Sequence, residues 1–324
     1  MTSPYNQWIR KVGLFVTKKA TASNPEEALD LSEFHIKFSV LNADVETPNN
    51  CTIRVYNLSK QTLRTLASDG EYSTVILNAG YENGNYGIIF RGTIKQYRVG
   101  RENATDSYLD IFAADGDIGY NQGIVNTSLA AGATNIQQVT AAGAAFPELG
   151  VDYGSLSITK QNVPSIRGVV LMGMARARLR NIVTHMDAGW SIQDGKIVVT
   201  DNSGYRDGEA VEINVGTGLI GTPEQTDGGI KVKCLLNSKI RIGGRVQLNN
   251  EELVQILQAD KDAAPIAYNQ WAGFQFVAGL SPDGMYRAFA VEHEGDTRGT
   301  SWYTNLICLA VNETVPKDQS VNPN

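Results

Sequence analysis

Hydrophobic and polar residues alternate along much of the first part of the chain. The stretch FHIKFSV at residues 34–40 has a hydrophobic residue at every second position on one face, and CTIRVY at 51–56 repeats the pattern. A period of two predicts half-buried β-strands. Strands this close in sequence favour meander pairing into a small barrel or sandwich, which we assign to residues 1–120. Three further strand-like stretches lie at residues 73–81, 86–99 and 107–115.

Two local signals interrupt the strands of this first region. The cluster ENGN at residues 82–85 is typical of a turn between strands. The stretch SKQTLRTLA at 59–67 predicts a short helix, because Ser59 can accept hydrogen bonds from the free N–H groups at its start.

The pattern changes between residues 121 and 203. The Ala- and Gly-rich stretch before Phe146 predicts a helix over 134–146. Residues 165–186 predict a second, longer helix with a hydrophobic face. Asp194-Gly195 suits a type I′ turn, so WSIQDGKIVVT predicts a hairpin. This region therefore reads as a small α+β domain. The predicted face of the longer helix contains Val170, Met174, Leu179, Ile182, Val183 and Met186.

Strand-like alternation returns after residue 204 and predicts a second β domain over 204–312. The stretch EELVQILQAD at 251–260 fits either a strand or a short helix. The tail at 313–324 contains Pro and Asn without any period and is predicted to be flexible. The strand-like stretches of this region are 210–216, 230–236, 242–248, 285–293 and 301–311.

Composition excludes several functions. The 324 residues are enough for two or three domains, and 42% hydrophobic with 19% charged residues is ordinary for a folded protein. The formal net charge of −6 disfavours free DNA or an anionic membrane as the main partner. No hydrophobic run reaches the ~18 residues of a membrane span, and the start lacks the core of a secretion signal.

The cysteines point to a reducing compartment. Cys51, Cys234 and Cys308 are far apart, their number is odd, and no pair has metal-ligand spacing. We therefore expect buried thiols and assembly in the cytoplasm.

The stretch VEHEGDTRGTSWYT at residues 291–304 resembles an active site, because an imidazole, carboxylates and a guanidinium stand side by side. It lies between two predicted strands, however, and a catalytic triad normally draws its members from separate elements. We interpret it as a hairpin loop, in which two glycines supply positive φ and an arginine pairs with a neighbouring carboxylate. The residues assigned to this loop are His293, Gly295, Asp296, Thr297, Arg298 and Gly299.

Other candidate sites are also interpreted as structural. His35, His185 and His293 lie in three different segments without paired-ligand spacing, so no metal site and no cofactor are expected. GTGLIGTP at 216–223 precedes no clear helix, which argues against a phosphate loop. Four arginines of the longer predicted helix are expected on a solvated face or paired with carboxylates of a neighbouring subunit. They are Arg167, Arg176, Arg178 and Arg180.

Four stretches in this order resemble the baseplate hub protein of contractile phage tails. The first, at 49–66, has a strand followed by Asn57-Leu58-Ser59, which opens a short helix, and the second is a hairpin at 90–117. The third, at 218–248, pairs a turn containing Gly221 and Pro223 with an Ile-x-Val strand. The fourth, at 284–304, ends in the His-x-Gly-Asp-Thr-Arg-Gly tip.

The resemblance implies a structural virion protein. Such hubs are similar to the tail-tube protein, with two tube-type β-barrels in one chain, here flanking the α+β insertion. Three chains would form a pseudo-sixfold ring that joins the tail tube to the threefold central spike, in contact with other baseplate proteins. DNA would pass through the lumen without sequence-specific binding. The tip would fix the register of the last hairpin and touch a neighbour through Arg298.

Two alternatives remain open at this stage. A tail-associated cell-wall hydrolase would need a carboxylate pair, for which Glu148 and Asp187 are candidates. A glycan-binding tail protein would need aromatic platforms, for which Trp190, Trp271 and Trp302 are candidates.

Overall fold

The fold is mainly β with a few helices, as the alternation predicts. The computed structural model describes residues 7–18, 28–67, 72–157, 163–202, 204–226, 229–248 and 284–310. Three hydrophobic cores are present: one mainly in the first β region, one in the α+β insertion and one in the last β region. The first core also contains Leu236 and Trp302 of the last β region.

The first β region is a seven-stranded part of a larger sheet, in the order β2-β1-β5-β6-β7-β4-β3. Its predicted strands form with the predicted faces inward, because hydrophobic residues at alternate positions all reach the same core. Two strands that the pattern did not single out, β1 and β2, extend the sheet beyond β5. The strands are β1 (Arg10–Lys18), β2 (Ala28–Asp30), β3 (Ile36–Ala43), β4 (Asn50–Tyr56), β5 (Tyr72–Tyr81), β6 (Gly87–Arg101) and β7 (Ser107–Ala114).

Helix α1 (Lys60–Ala67) confirms the predicted short helix. The Ser59 hydroxyl accepts a hydrogen bond from the Thr62 backbone N–H at 3.0 Å, as expected of an N-terminal cap.

The insertion packs helices against two small sheets, β10-β8 and β11-β12-β9. The predicted helix at 134–146 is confirmed, and Thr134 and Gln137 form a capping box at its start. The prediction of a helix over 165–186 is wrong in its first half, where the β-branched pair Val169-Val170 begins a strand and only the second half is helical. The elements are α2 (Asp117–Gln122), β8 (Ile124–Leu129), α3 (Asn135–Gly143), β9 (Asp152–Ser157), β10 (Val169–Met174), α4 (Ala175–His185), β11 (Ala188–Gln193) and β12 (Lys196–Asp201).

The Asp194-Gly195 turn forms as predicted. Both residues have positive φ, 55° and 73°, and strands β11 and β12 pair directly on either side. This is the backbone that a type I′ turn requires.

The last β region joins the first through strand β17. Its end pairs with β3, from Ala290 opposite Ala43 to Asp296 opposite Lys37. The hydrogen-bonded path through the described strands runs open from β14 to β2, and no closed barrel is present among them. The elements are β13 (Val211–Ile213), β14 (Glu224–Thr226), β15 (Gly229–Leu235), β16 (Arg245–Leu248), β17 (Met285–Asp296) and β18 (Trp302–Ala310).

Buried polar contacts connect the insertion with both β regions. The Arg287 guanidinium of β17 forms an ion pair with Asp44 and donates to the carbonyl of Asp201 at 2.7 Å. The Asn49 amide donates to the carbonyl of Ile192 at 3.0 Å. The insertion therefore meets the β regions through directional contacts, whereas the two β regions also share the first hydrophobic core through Leu236 and Trp302.

Some expectations fall outside the described residues: the ambiguous stretch at 251–260, the tail at 313–324 and Trp271. The three cysteines are buried and free, and burial raises the pKa of each thiol. None of the helices in the described ranges is long and apolar enough to span a membrane.

Candidate assembly site at the tip of the last hairpin

The tip connects β17 and β18 and is organised by Asp296. Its Oδ1 accepts hydrogen bonds from the backbone N–H groups of Arg298 at 2.9 Å and Gly299 at 2.8 Å. An aspartate that binds the backbone two and three residues ahead is a common turn former. The expected pairing of the Arg298 guanidinium with a carboxylate of the tip is replaced by these backbone contacts, and its side chain is exposed.

Strand β3 and His35, the residue directly before it, hold the tip from the side. His35 Nε2 lies 2.8 Å from Asp296 Oδ1, and Lys37 Nζ lies 3.6 Å from Oδ2. Thr297 pairs with Ile36 in both directions, since its backbone N–H donates to the carbonyl and its hydroxyl accepts from the N–H. Burial alone would raise the pKa of Asp296, but the hydrogen bonds from Arg298, His35 and Gly299 outweigh it and lower that pKa.

Arg10 of β1 holds the tip from the other side, a contact that the sequence analysis missed. Its guanidinium donates to the carbonyls of Gly299 at 2.7 Å and Thr300 at 3.0 Å, and lies 5.5 Å from the ring centroid of Trp302. An arginine at the start of a strand gives no signal of such a distant partner, so sequence alone offered no way to find it.

The two glycines of the tip have a different role from the predicted one. Neither has positive φ, so that expectation is wrong. A Cβ at Gly295 would lie 2.6 Å from Phe38 Cε1 and 2.9 Å from Trp302 Cε3, and a Cβ at Gly299 would lie 2.5 Å from Asp296 Oδ2. Glycine is therefore required for space: it lets Phe38 and Trp302 meet edge to face at 5.5 Å and lets Asp296 fold over the turn.

His293 does not belong to the tip loop but lies within β17. It is buried, and its Nδ1 lies 2.9 Å from Thr304 Oγ1. Burial, with a smaller contribution from the charge of Arg241, lowers its pKa to about 3. His293 is therefore neutral at pH 7 and has no carboxylate orienting it, which does not fit acid–base catalysis.

The Asn57-Leu58-Ser59 motif lies beside the tip. Asn57 adopts positive φ of 56°, its amide donates to Asp106 at 3.0 Å, and its side-chain oxygen accepts from the Ser107 N–H at 3.0 Å. Leu58 is buried in the first core. The motif thus ties the end of β4 to the start of β7.

Asn57 and Arg298 line one pocket of about 430 Å³ between the motif and the tip. Two of the stretches that carried the family resemblance therefore converge in space. The pocket is lined by both carboxylates and cations, which suits polar contacts with another protein surface. Its other lining residues are Glu33, Phe34, His35, Lys37, Tyr56, Glu102 and Asp106.

Gly221 and Pro223 lie away from this pocket. They lead into β14, which ends the sheet on the side of the last β region. Gly221 has φ of 71°, a conformation that favours glycine, and Pro223 is buried. They shape the entry to an edge strand and take no part in the tip.

The alternative sites are placed as follows. Trp190 and Trp302 are buried, so neither offers a stacking face for a sugar. The described residues contain no cluster of three or more side chains suited to a metal ion. The Asp187 carboxylate accepts a hydrogen bond from Asn202 at 3.0 Å.

The arginines of α4 make contacts within the chain, and Arg180 remains exposed, as a solvated face predicts. Pairing with a neighbouring subunit stays a prediction. Arg180 pairs with Glu46, Arg176 donates to the carbonyl of Tyr120, and Arg178 donates to the carbonyl of Met172. Arg167 is exposed and precedes β10 rather than lying on a helix.

Solved structures of tail proteins share this fold. The tail protein of Neisseria meningitidis MC58 superposes with a TM-score of 0.56 at 9% identity, covering 93% of this chain and 97% of that one. The 43 kDa tail protein of prophage MuSo2 from Shewanella oneidensis gives 0.56 at 6% identity, with the same coverages of 93% and 97%.

A secretion-system protein is also similar. The E. coli c3393 protein, described as a component of the type VI secretion system with structural similarity to the T4 tail proteins gp27 and gp5, gives a TM-score of 0.53 at 11% identity. The match covers 85% of this chain and 73% of that one.

Sequence comparison gives the family. A search of curated proteins finds no match. The sequence profile of the family described as Baseplate hub gp41 matches residues 11–252, which is well over half of the chain. The match runs from within β1 through the rest of the first β region and the whole insertion. This chain therefore belongs to the Baseplate hub gp41 family, a structural component of the phage tail baseplate.

Proposed function

We propose that the chain is the central hub of a contractile tail and acts as a homotrimer. Three copies form a pseudo-sixfold ring from two tube-like β units each, between the tail tube and the threefold central spike. Residues 1–120 and 204–312 are these two units, 121–203 is the α+β insertion, and each unit completes its barrel within the ring. The hub is assembled in the host cytoplasm and remains in the virion.

The observation that carries this proposal is the arrangement of the three cores. Two β regions, each with a hydrophobic core, flank an insertion that has a core of its own, and Leu236 and Trp302 of the last region also enter the first core. Strand β17 aligns the outer two regions in one sheet through its pairing with β3. Two linked β units in each chain are what a threefold ring needs to present six units to a sixfold tube.

The charge of the chain supports passage of DNA. A net charge of −6 gives no excess of cations to hold phosphates, so duplex DNA can move through the lumen without sequence-specific binding. The chain contributes walls and contacts to this process, and the proposal assigns it no catalytic role.

The hairpin tip supplies one of the contacts with a neighbouring chain. Arg10, His35 and Thr297 hold the tip in one conformation, while the Arg298 guanidinium stays exposed at the rim of the pocket. A rigid loop that presents an exposed arginine loses little entropy when it binds a carboxylate of a neighbour.

The proposal is tested by the position and number of copies in the tail. Electron cryomicroscopy of the assembled baseplate is expected to show three copies around the central channel, between the tube and the spike. A location at the tail periphery, or a copy number that is not a multiple of three, would overturn the proposal.

A further inference from the structure

The two-stranded sheet β10-β8 leaves one face and one edge open in the described structure. Alternate residues of the two strands, Val125 and Leu171, are buried toward the helices. The opposite face exposes Ile124 (66%), Val170 (70%) and Met172 (62%). Large apolar side chains exposed side by side are typical of a protein contact surface.

A groove of about 460 Å³ runs along the free edge of β8. Four consecutive β8 residues, 124–127, line it, and consecutive residues point to alternate faces of a strand. The groove therefore follows the edge itself, where no described strand pairs with β8. Its far wall is formed by Ala141, Ala144 and Ala145 at the end of α3, together with Leu149.

The two edges of this sheet differ in protection. On β10, Arg178 Nε donates to the carbonyl of Met172 at 2.8 Å, and a charged group at an edge discourages pairing with another chain. The groove along β8 is lined by no charged residue, although 19% of the chain is charged. An uncharged groove between a strand edge and a helix fits an extended peptide that adds a strand to the sheet.

The charges on the other end strands limit which strand of a second copy could pair with the β8 edge. The strands β2, β9, β13 and β14, which end the other described sheets, each contain a carboxylate, and β11 is buried at five of its six positions. Among described strands at a sheet end, only β8 and β10 expose several positions and contain no charged residue of their own. Pairing of β8 with β8 of another copy would be a twofold contact, which a threefold ring does not contain.

Pairing of β8 with β10 of the next copy is incompatible with the proposed hub. In a threefold assembly it would close six strands around the axis. Even eight strands enclose an interior just wide enough for side chains, which leaves no channel for DNA.

We propose that the β8 edge binds an extended, uncharged segment of a different protein of the tail. At ~3.3 Å per residue, the four β8 residues that line the groove are about 13 Å long, so they pair with about four residues of the partner. Its backbone pairs with β8. Its side chains alternate between the alanine wall of α3 and the apolar face beside Ile124. This inference rests on the proposed hub role, because that role excludes a second copy as the occupant.

Photocrosslinking in assembled tails tests the proposal. A benzoylphenylalanine at Asn126, an exposed residue of the groove, is expected to crosslink to an uncharged segment of one other tail protein, identified by peptide mass spectrometry. The same probe at Val215, which is 76% exposed in the last β region, serves as the matched control and is not expected to crosslink to that segment. A crosslink to a second copy, to a charged segment, or none at all would overturn the proposal.

A substitution gives an independent readout. Ala144→Glu places a carboxylate in the groove at an exposed position and is expected to lower incorporation of the partner at least tenfold, with an unchanged melting curve. Val215→Glu is expected to assemble normally. Tails in which Ala144→Glu retains the partner overturn this inference while three copies around the channel still support the hub role, so the two failures are distinguishable.

Discussion

Two aspartates of this chain each hold a hairpin turn, and their surroundings have opposite effects on their charge. Asp296 Oδ1 accepts two backbone N–H groups of the last hairpin tip and a contact from His35. Asp115 Oδ1 accepts the backbone N–H of Gly195 in the β11–β12 turn at 2.8 Å. The pKa of Asp296 is lowered, whereas the pKa of Asp115 is raised to about 7.

The difference shows how burial and hydrogen bonding compete. Asp115 is buried, and the cost of removing its charge from water outweighs the backbone hydrogen bonds from Gly195 and Asp194, while the charge of Asp194 raises the pKa further. Asp296 keeps partial access to solvent and gathers three contacts on a single oxygen. The same residue type with the same local role therefore carries opposite pH dependence.

The largest expected effect is on the pH dependence of stability at Asp115. Its folded pKa of about 7 exceeds the unfolded value of 3.8, so the folded state binds more protons between pH 4 and pH 7. Stability is therefore lost as pH rises through this window, by roughly 4 kcal/mol for a shift of about three units. Asp115→Asn is expected to remove this loss, measured by chemical denaturation at several pH values.

The pH profile of the wild type alone does not isolate Asp115, because His293 also titrates and must be accounted for by comparison with Asp115→Asn. The lowered pKa of His293 favours the neutral form in the folded state, so its contribution to stability falls as pH drops below 6.5. This slope opposes that of Asp115 and is present in both proteins. Asp207→Asn, at an exposed carboxylate, is the matched control. Parallel pH profiles for wild type and Asp115→Asn would contradict the prediction.

The next effect concerns packing under the tip. Gly295→Ala brings a methyl group into the edge-to-face contact of Phe38 and Trp302 and is expected to cost about 3 kcal/mol of unfolding free energy. Gly189→Ala, in β11, is the control, because its Cβ would meet only Asn202 Oδ1 at 3.6 Å. Equal denaturation midpoints for the two variants would show that the tip can shift without cost.

Removing the carboxylate of the tip has a smaller effect. Asp296→Ala loses contacts with two backbone N–H groups and His35 and is expected to destabilise by about 2 kcal/mol at pH 7. Because the folded pKa lies below the unfolded value, this stabilisation is present above pH 4 and is lost as pH falls further. A deficit that persists unchanged at pH 2–3 would contradict an electrostatic origin.

The smallest effect on stability is expected at Arg298. Its side chain is exposed, so Arg298→Ala is expected to change the unfolding free energy by less than about 0.5 kcal/mol. Incorporation into tails is expected to fall severalfold, whereas Arg64→Ala, on exposed α1, leaves it unchanged. Normal incorporation of Arg298→Ala would contradict the proposal that the tip contacts a neighbouring chain.

The sequence determined those features that depend on neighbours along the chain. Alternation at residues 34–40 and 51–56 predicted strands with the correct buried faces, the Ala- and Gly-rich stretch predicted α3, and Asp194-Gly195 predicted its turn. Each depends on interactions over a few residues. The sequence also led to the interpretation of the charged stretch near His293 as structural. It did not show that the glycines of this stretch are needed for space.

Tertiary structure decided everything that depends on distant partners. Arg10 contacts a tip nearly 290 positions away, β17 pairs with β3, and Asn57 meets Arg298 in one pocket. It also decided that residues 169–174 form a strand instead of the start of a helix, because β8 offers them a pairing edge. Local patterns contain no information about which edge, carbonyl or ring will be close after folding. The burial that raises the pKa of Asp115 likewise exists only once the three units have packed together.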